Sequence, residues 1–197
     1  PSISRSSVTT LEPVSTRERI LEAAERCLER YGIQKTTLAD VAEEAGVARV
    51  TVYRQFADRD ALFVDTSLFI LERRWREIAQ KLKNVKDPGE WVLQALLVNL
   101  QMIQNDAAEG RYQEKDARGD GMSIALSPSG LECISVWLRP LLDESKNTIP
   151  GSLPAEGIAE WMHWQSFIMD SGRSQRLKTA KQWRDWLEPQ IRTGLLG

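Results

Sequence analysis

Residues 45–56 read AGVARVTVYRQF, and the fold of this stretch decides the organisation of the whole chain. Between Ala45 and Arg49 there is room only for a tight turn joining two helices. Gly46 has no Cβ, so it can take the positive φ that such a turn needs. Val47 then fills the angle between the helices, and Ala42 is small where they must approach. This is the spacing of a helix-turn-helix. In the second helix Val52 and Phe56 are i, i+4 neighbours and should face inward. Arg49, Val50, Tyr53 and Arg54 are left outside, with Thr51 between the two faces. Such a surface suits the DNA major groove, because arginine can bond a guanine edge and Val or Thr can touch a thymine methyl. Tyrosine and arginine can also hold phosphates, which fixes register without reading sequence. On these residues alone, an ordinary solvated helix face in an all-α protein fits equally well.

The bulk composition confines any basic surface to a small area. The chain has 197 residues, a net charge of -2 and a pI of about 5.6. A protein that coats nucleic acid over its whole surface would be strongly basic. At 42% hydrophobic and 27% charged, the composition is that of a globular protein. No apolar run approaches the roughly 20 residues needed to cross a bilayer. The longest candidate, Trp91 to Leu100, is interrupted by Gln94 and Asn99. The opening PSISRSSVTT has no apolar core and reads as a disordered tail rather than a secretory signal. A cytoplasmic location with no membrane association is expected. Cys27 and Cys133 match no metal spacing and lie in apolar-periodic stretches, which suits buried free thiols in a reducing compartment.

Along the chain almost everything reads as helix. From Thr16 to Tyr31 the positions Ile20, Ala24, Cys27, Leu28 and Tyr31 keep helical spacing, and Gly32 follows as a C-cap. Thr37 caps a second helix, Asp40 completes a capping box, and Gly46 ends the helix. Asp58 caps a long helix running to about Leu82, where Asp87-Pro88-Gly89 breaks the chain. Helices are expected from Glu90 to about Asn105, from Ser127 to near Lys146, from about Pro154 to Asp170, and from about Ser174 to Ile191. Asp106 to Gly121 is polar and glycine-bearing, and Asn147 to Pro154 carries two prolines; both read as connections. Pro189 should end or bend the last helix. The expected fold class is all-α. A disordered tail (1–15) precedes a three-helix helix-turn-helix domain (16–60) and a larger helical bundle (61–197).

A longer window narrows the choice. Residues 16–62, TRERILEAAERCLERYGIQKTTLADVAEEAGVARVTVYRQFADRDAL, resemble the N-terminal domain of the TetR family of bacterial repressors. The resemblance runs ungapped from I-L-x-A-A through Y-G and T-T-L-A-D-V-A-x-x-A-G-V to T-V-Y-R-Q-F and D-R-D-A-L. It fades after about residue 70. The sequence departs at Ala48, where a serine is common, and at Gln55, where His or Tyr is usual. The resemblance implies that Arg49, Val50, Thr51, Tyr53, Arg54 and Gln55 form the recognition surface. It also implies phosphate contacts from Thr37, at a helix N-terminus, and from Arg59. For Arg59, flanked by Asp58 and Asp60, an intrahelical ion pair is the competing role.

The same resemblance implies a homodimer built through the last two helices, bound to double-stranded DNA at a palindromic operator. It further implies a small effector held in the C-terminal bundle, and all seven tryptophans lie in that region. Trp75, Trp91, Leu97, Met102, Trp137, Met162 and Phe167 are the candidate ligand contacts, for an apolar or aromatic molecule. Plain core packing is the commoner role for any one of them. His163, the single histidine, has no cysteine near it and makes no metal spacing with Glu160 or Asp170. No catalytic residue, metal or cofactor is expected. A regulator without a small effector, and a helical protein-interaction module, are the alternatives.

Overall fold

The computed structural model describes residues 15–108, 117–145, 153–170 and 176–195. Among these residues the chain is helical, with no strand. It divides into two compact units, the division falling between Leu62 and Phe63.

The first unit contains α1 (Thr16–Tyr31), α2 (Leu38–Ala45) and α3 (Arg49–Gln55). Each boundary has a local chemical cause. Ser15 caps α1 in a reciprocal capping box with Glu18, and Gly32 ends it at φ 77°. Thr37 and Asp40 form the second capping box, and Gly46 closes α2 in the left-handed region at φ 65°. Val47 N–H donates to the Ala42 carbonyl at 3.0 Å, which locks the turn. Ile20, Ala23, Ala24 and Cys27 of α1 pack with Val41 and Ala42 of α2 and with Val52 and Phe56, all nearly inaccessible. The helix α4 (Arg59–Lys81) starts behind Asp58, whose carboxylate accepts from Ala61 N–H at 2.8 Å.

The second unit holds the rest of α4 and α5 (Pro88–Ala108), α6 (Ala117–Ala125), α7 (Pro128–Ser145), α8 (Ala155–Asp170) and α9 (Ala180–Gln190). A π-helical turn, Ile191–Leu195, follows α9. The helix α8 packs against α5 and α7, and α5 packs against α9. Their buried faces form one core with Trp75 and Ile78 of α4, Leu96 and Leu100 of α5, Leu138 of α7, Ile158 and Met162 of α8, and Trp183 and Leu187 of α9.

Two sequence expectations are corrected here. The segment 106–121 is not one connection: α5 runs on to Ala108 and α6 begins at Ala117, with 109–116 outside the described residues. Gly119 and Gly121 lower helix propensity but do not prevent a short helix whose neighbour α7 packs on it. The last helix starts at Ala180, not near Ser174, because Thr179 and Gln182 form a capping box there. As expected of a proline near a helix end, α9 stops one residue after Pro189, at Gln190, and the chain widens into the π-helical turn. The tail before Ser15 and most of the connection 147–154 lie outside the described residues.

Candidate nucleic-acid interface

The helix α3 is held by one face and open on the other. Val52 is fully buried and Phe56, just past its end, is 2% exposed. On the opposite side Val50 is 63% and Tyr53 57% exposed, so two large apolar or aromatic groups face solvent on a two-turn helix. Arg49, Arg54 and Gln55 are exposed beside them, and Thr51 is half-buried. The six residues expected on the recognition surface therefore lie together on one short helix. Ala48 occupies the N-cap and supplies no side-chain hydrogen bond. Serine or threonine there would satisfy one of the free amides of the first turn.

The angle between α2 and α3 is fixed by arginines that the sequence reading did not single out. Arg19 Nη2 donates to the Ala45 carbonyl at 3.0 Å, placing a cation at the C-terminus of α2. Arg17 Nη1 reaches the Gln55 carbonyl at 3.5 Å, and its guanidinium lies 4.6 Å from the centre of the Phe56 ring. Both are favourable placements for positive charge, since helix C-termini carry partial negative charge. One signal in the sequence could have found them. Arginines in the first turns of α1 oppose that helix's own dipole, which argues for partners elsewhere.

The two residues expected at phosphates are engaged within the domain. Thr37 Oγ1 donates to Asp40 Oδ2 at 2.6 Å and accepts from Asp40 N–H, and Thr37 N–H donates to the same carboxylate. Its hydroxyl proton is thus committed to the capping box. Those hydrogen bonds, with a smaller contribution from Arg49, hold the Asp40 carboxyl below the usual carboxylate range. Arg59 turns inward: Nε donates to the Thr36 carbonyl at 3.1 Å and Nη2 to that of Ile33. It thereby binds the α1–α2 connection. The acids around α3 are partly neutralised. Glu44 pairs with Arg26 at 2.7 Å and with Arg30 at 3.3 Å, which lowers its pKa.

With this geometry described, likeness to known proteins becomes informative. Residues 20–66 match the family described as bacterial regulatory proteins, tetR family. The TetR-family likeness lies in the first unit and the start of α4. An uncharacterized HTH-type transcriptional regulator of Mycobacterium tuberculosis is 33% identical over 91 residues, 46% of this chain and 45% of that protein. The "Probable acrEF/envCD operon repressor" of Escherichia coli is 31% identical over 98 residues, 48% of this chain and 44% of that protein. HTH-type transcriptional regulator TtgR of Pseudomonas putida is 47% identical over 51 residues, 26% of this chain and 24% of its own length. Each match spans less than half the length of the relative. In three dimensions a TetR-family regulator from Rhodococcus sp. aligns over 92% of this chain and 98% of its own, with a TM-score of 0.61 at 18% identity. The TetR family repressor AlkX of Dietzia sp. aligns over 90% and 94%, with a TM-score of 0.57 at 22% identity. That likeness extends the all-helical fold through the second unit.

The residues expected to contact an effector divide. Trp75, Trp91 and Met162 are in the core of the second unit, and Leu97, Met102 and Trp137 pack against it half-buried. Phe167 stands apart from these: it is 38% exposed, on the outer side of α8. Trp164 and Ile168 are exposed on that same side, at 44% and 43%. Cys27 and Cys133 are buried free thiols, and burial pushes Cys133 up to about 11. Among the described residues no group of His, Cys, Asp and Glu could hold a metal ion, and no helix is long and apolar enough to cross a membrane.

Proposed function

We propose that this chain is a homodimeric, sequence-specific DNA-binding regulator of the cytoplasm, a repressor released from a palindromic operator by a small apolar or aromatic effector. The observation that carries the reading is the two-sided helix α3. Val52 and Phe56 anchor it, while Arg49, Val50, Tyr53, Arg54 and Gln55 stand exposed for base edges and phosphates, with Thr51 at the margin. Thr37 and Arg59 then act by holding the domain in shape rather than by touching DNA. The name of the Escherichia coli relative supports repression.

The dimer is proposed through α8 and α9. Trp164, Phe167 and Ile168 are exposed together on the outer side of α8, and Trp186 of α9 is 39% exposed. An apolar stripe of this kind on a soluble helix marks an interaction surface. A twofold axis there presents two α3 helices to one operator.

Selection of bound duplexes from a random pool by the full chain tests the reading. The expected product is a palindrome with half-sites separated by about one helical turn. Enrichment of nothing, or of a single half-site, would count against it. A regulator without an effector is the second reading, favoured by how completely Trp75, Trp91 and Met162 are packed. Failure of every apolar probe to raise the melting temperature would support it.

A further inference from the structure

Among the described residues of the second unit, Trp75 Nε1, Asn99 Oδ1 and Gln165 Oε1 are buried without a hydrogen-bond partner. Asn99 of α5 is 4% exposed, and its Oδ1 has no hydrogen-bond partner. Trp75 of α4 is 1% exposed, and its Nε1 likewise has none. The orientation of the Asn99 amide is fixed by chemistry. Ser166 Oγ gives its only proton to the Met162 carbonyl at 2.8 Å, so toward Asn99 it can only accept. Asn99 Nδ2 donates to it at 3.1 Å, which leaves Oδ1 as the atom without a partner.

His163 lies on α8 one turn before Ser166. Its Nε2 faces the Gly130 carbonyl at 3.3 Å, so that nitrogen carries the proton and Nδ1 is left an acceptor. Its ring meets Trp75 edge-on, with centroids 6.1 Å apart. On α5, Asn99 shares its face with Asp106, which pairs with Arg74 of α4 at 2.6 Å, so this face of α5 looks toward both α4 and α8.

A buried donor or acceptor left unsatisfied is costly, and a protein that carries such atoms gains whatever molecule satisfies them. We propose that Asn99 and Trp75 are the polar contacts of the effector, and that the effector is a neutral, mainly apolar alcohol or phenol. A hydroxyl can both donate, as Asn99 Oδ1 requires, and accept, as Trp75 Nε1–H requires. A carboxylate would set its charge against an amide oxygen and is disfavoured. A hydrocarbon fills space but leaves both atoms unpaired. The inference rests on the effector reading above and adds the chemistry of the ligand to it.

The test uses matched sets of aromatic probes with the full-length dimer: benzene, phenol and benzoate; naphthalene, naphthol and naphthoate; biphenyl, hydroxybiphenyl and biphenylcarboxylate. Affinity is read by calorimetry, and release from the selected operator by anisotropy. In at least one set the hydroxyl compound should bind about ten-fold more tightly than the hydrocarbon, the effect of satisfying one buried polar group, and the carboxylate should bind worst. In Asn99→Leu the advantage of the hydroxyl should vanish while hydrocarbon binding persists; Trp75→Phe should reduce it. Equal affinity for hydroxyl and hydrocarbon with operator release intact overturns this inference and leaves the effector reading standing. A hydroxyl preference unchanged in Asn99→Leu also overturns it. Binding of no probe in any set overturns both.

Discussion

Arg19 reaches from the first helix to the end of the second, its Nη2 donating to the carbonyl of Ala45 at 3.0 Å. The next residue, Gly46, turns the chain at φ 65° toward the recognition helix. A Cβ on Gly46 would sit 3.9 Å from Arg19 Nη2, an ordinary contact, so glycine is needed there for its backbone and not for space. Arg19 is thus a positioning residue for α3, although it lies outside the DNA-reading surface.

Replacing Arg19 by Gln should lower stability by about 1 kcal/mol and operator affinity roughly ten-fold, because the hydrogen bond to a helix end is lost and the turn is loosened. Arg19→Lys should recover part of both, since it keeps the charge near the carbonyls. Urea unfolding and fluorescence anisotropy on the same samples check this. Affinity that tracks stability alone, with no excess loss on DNA, would mean that Arg19 does not position α3.

Ala48 offers the converse change. Ala48→Ser should add the missing side-chain cap to α3 and stabilise the protein by about 0.5–1 kcal/mol. Chemical denaturation gives the number directly, and no gain would show that the backbone at Ala48 (φ -65°, ψ 144°) does not bring a hydroxyl to the first-turn amides.

These two cases show what could be read in advance. Thr37, Asp40, Gly46, Val52 and Phe56 act on neighbours within a few residues, so their roles follow from spacing alone. Arg17, Arg19 and Arg59 bond carbonyls 38, 26 and 23 to 26 residues away, and no local pattern reports a backbone acceptor at that distance. The layer of Asn99, Trp75 and His163 was hidden for the same reason. Asn99 read as a break in an apolar run and His163 as an isolated residue, and only the packing of α4, α5 and α8 brings them together. The late start of α9 was legible, because Thr179 and Gln182 spell a capping box, but the apolar spacing before it drew the boundary too early.

His163 makes stability depend on pH. Burial lowers its pKa from 6.5 to about 4, with the Gly130 carbonyl opposing in part. Between these values the unfolded chain binds a proton that the folded chain refuses. Stability is therefore fully present above about pH 6.5 and declines as pH falls toward 4, by about 3 kcal/mol in all. Asp40, Glu44, Glu132 and Glu156, whose pKa values are lowered by their partners, add losses in the same direction at lower pH. In His163→Gln the decline between pH 6.5 and 4.5 should be shallower. As the chain has one histidine, its imidazole proton resonances need no assignment, and titration near 6.5 in the folded protein would refute the account.

The central claim is that the exposed face of α3 reads DNA. Tyr53 is 57% exposed, so Tyr53→Ala removes an aromatic contact without opening the core. The decisive measurement is operator affinity of Tyr53→Ala against the parent protein, with oligomeric state and melting temperature recorded alongside. The account predicts loss of operator binding by a hundred-fold or about that order, as for removal of a main contact from both half-sites of a dimer, with dimer and stability unchanged. Unchanged affinity for the same operator would contradict it.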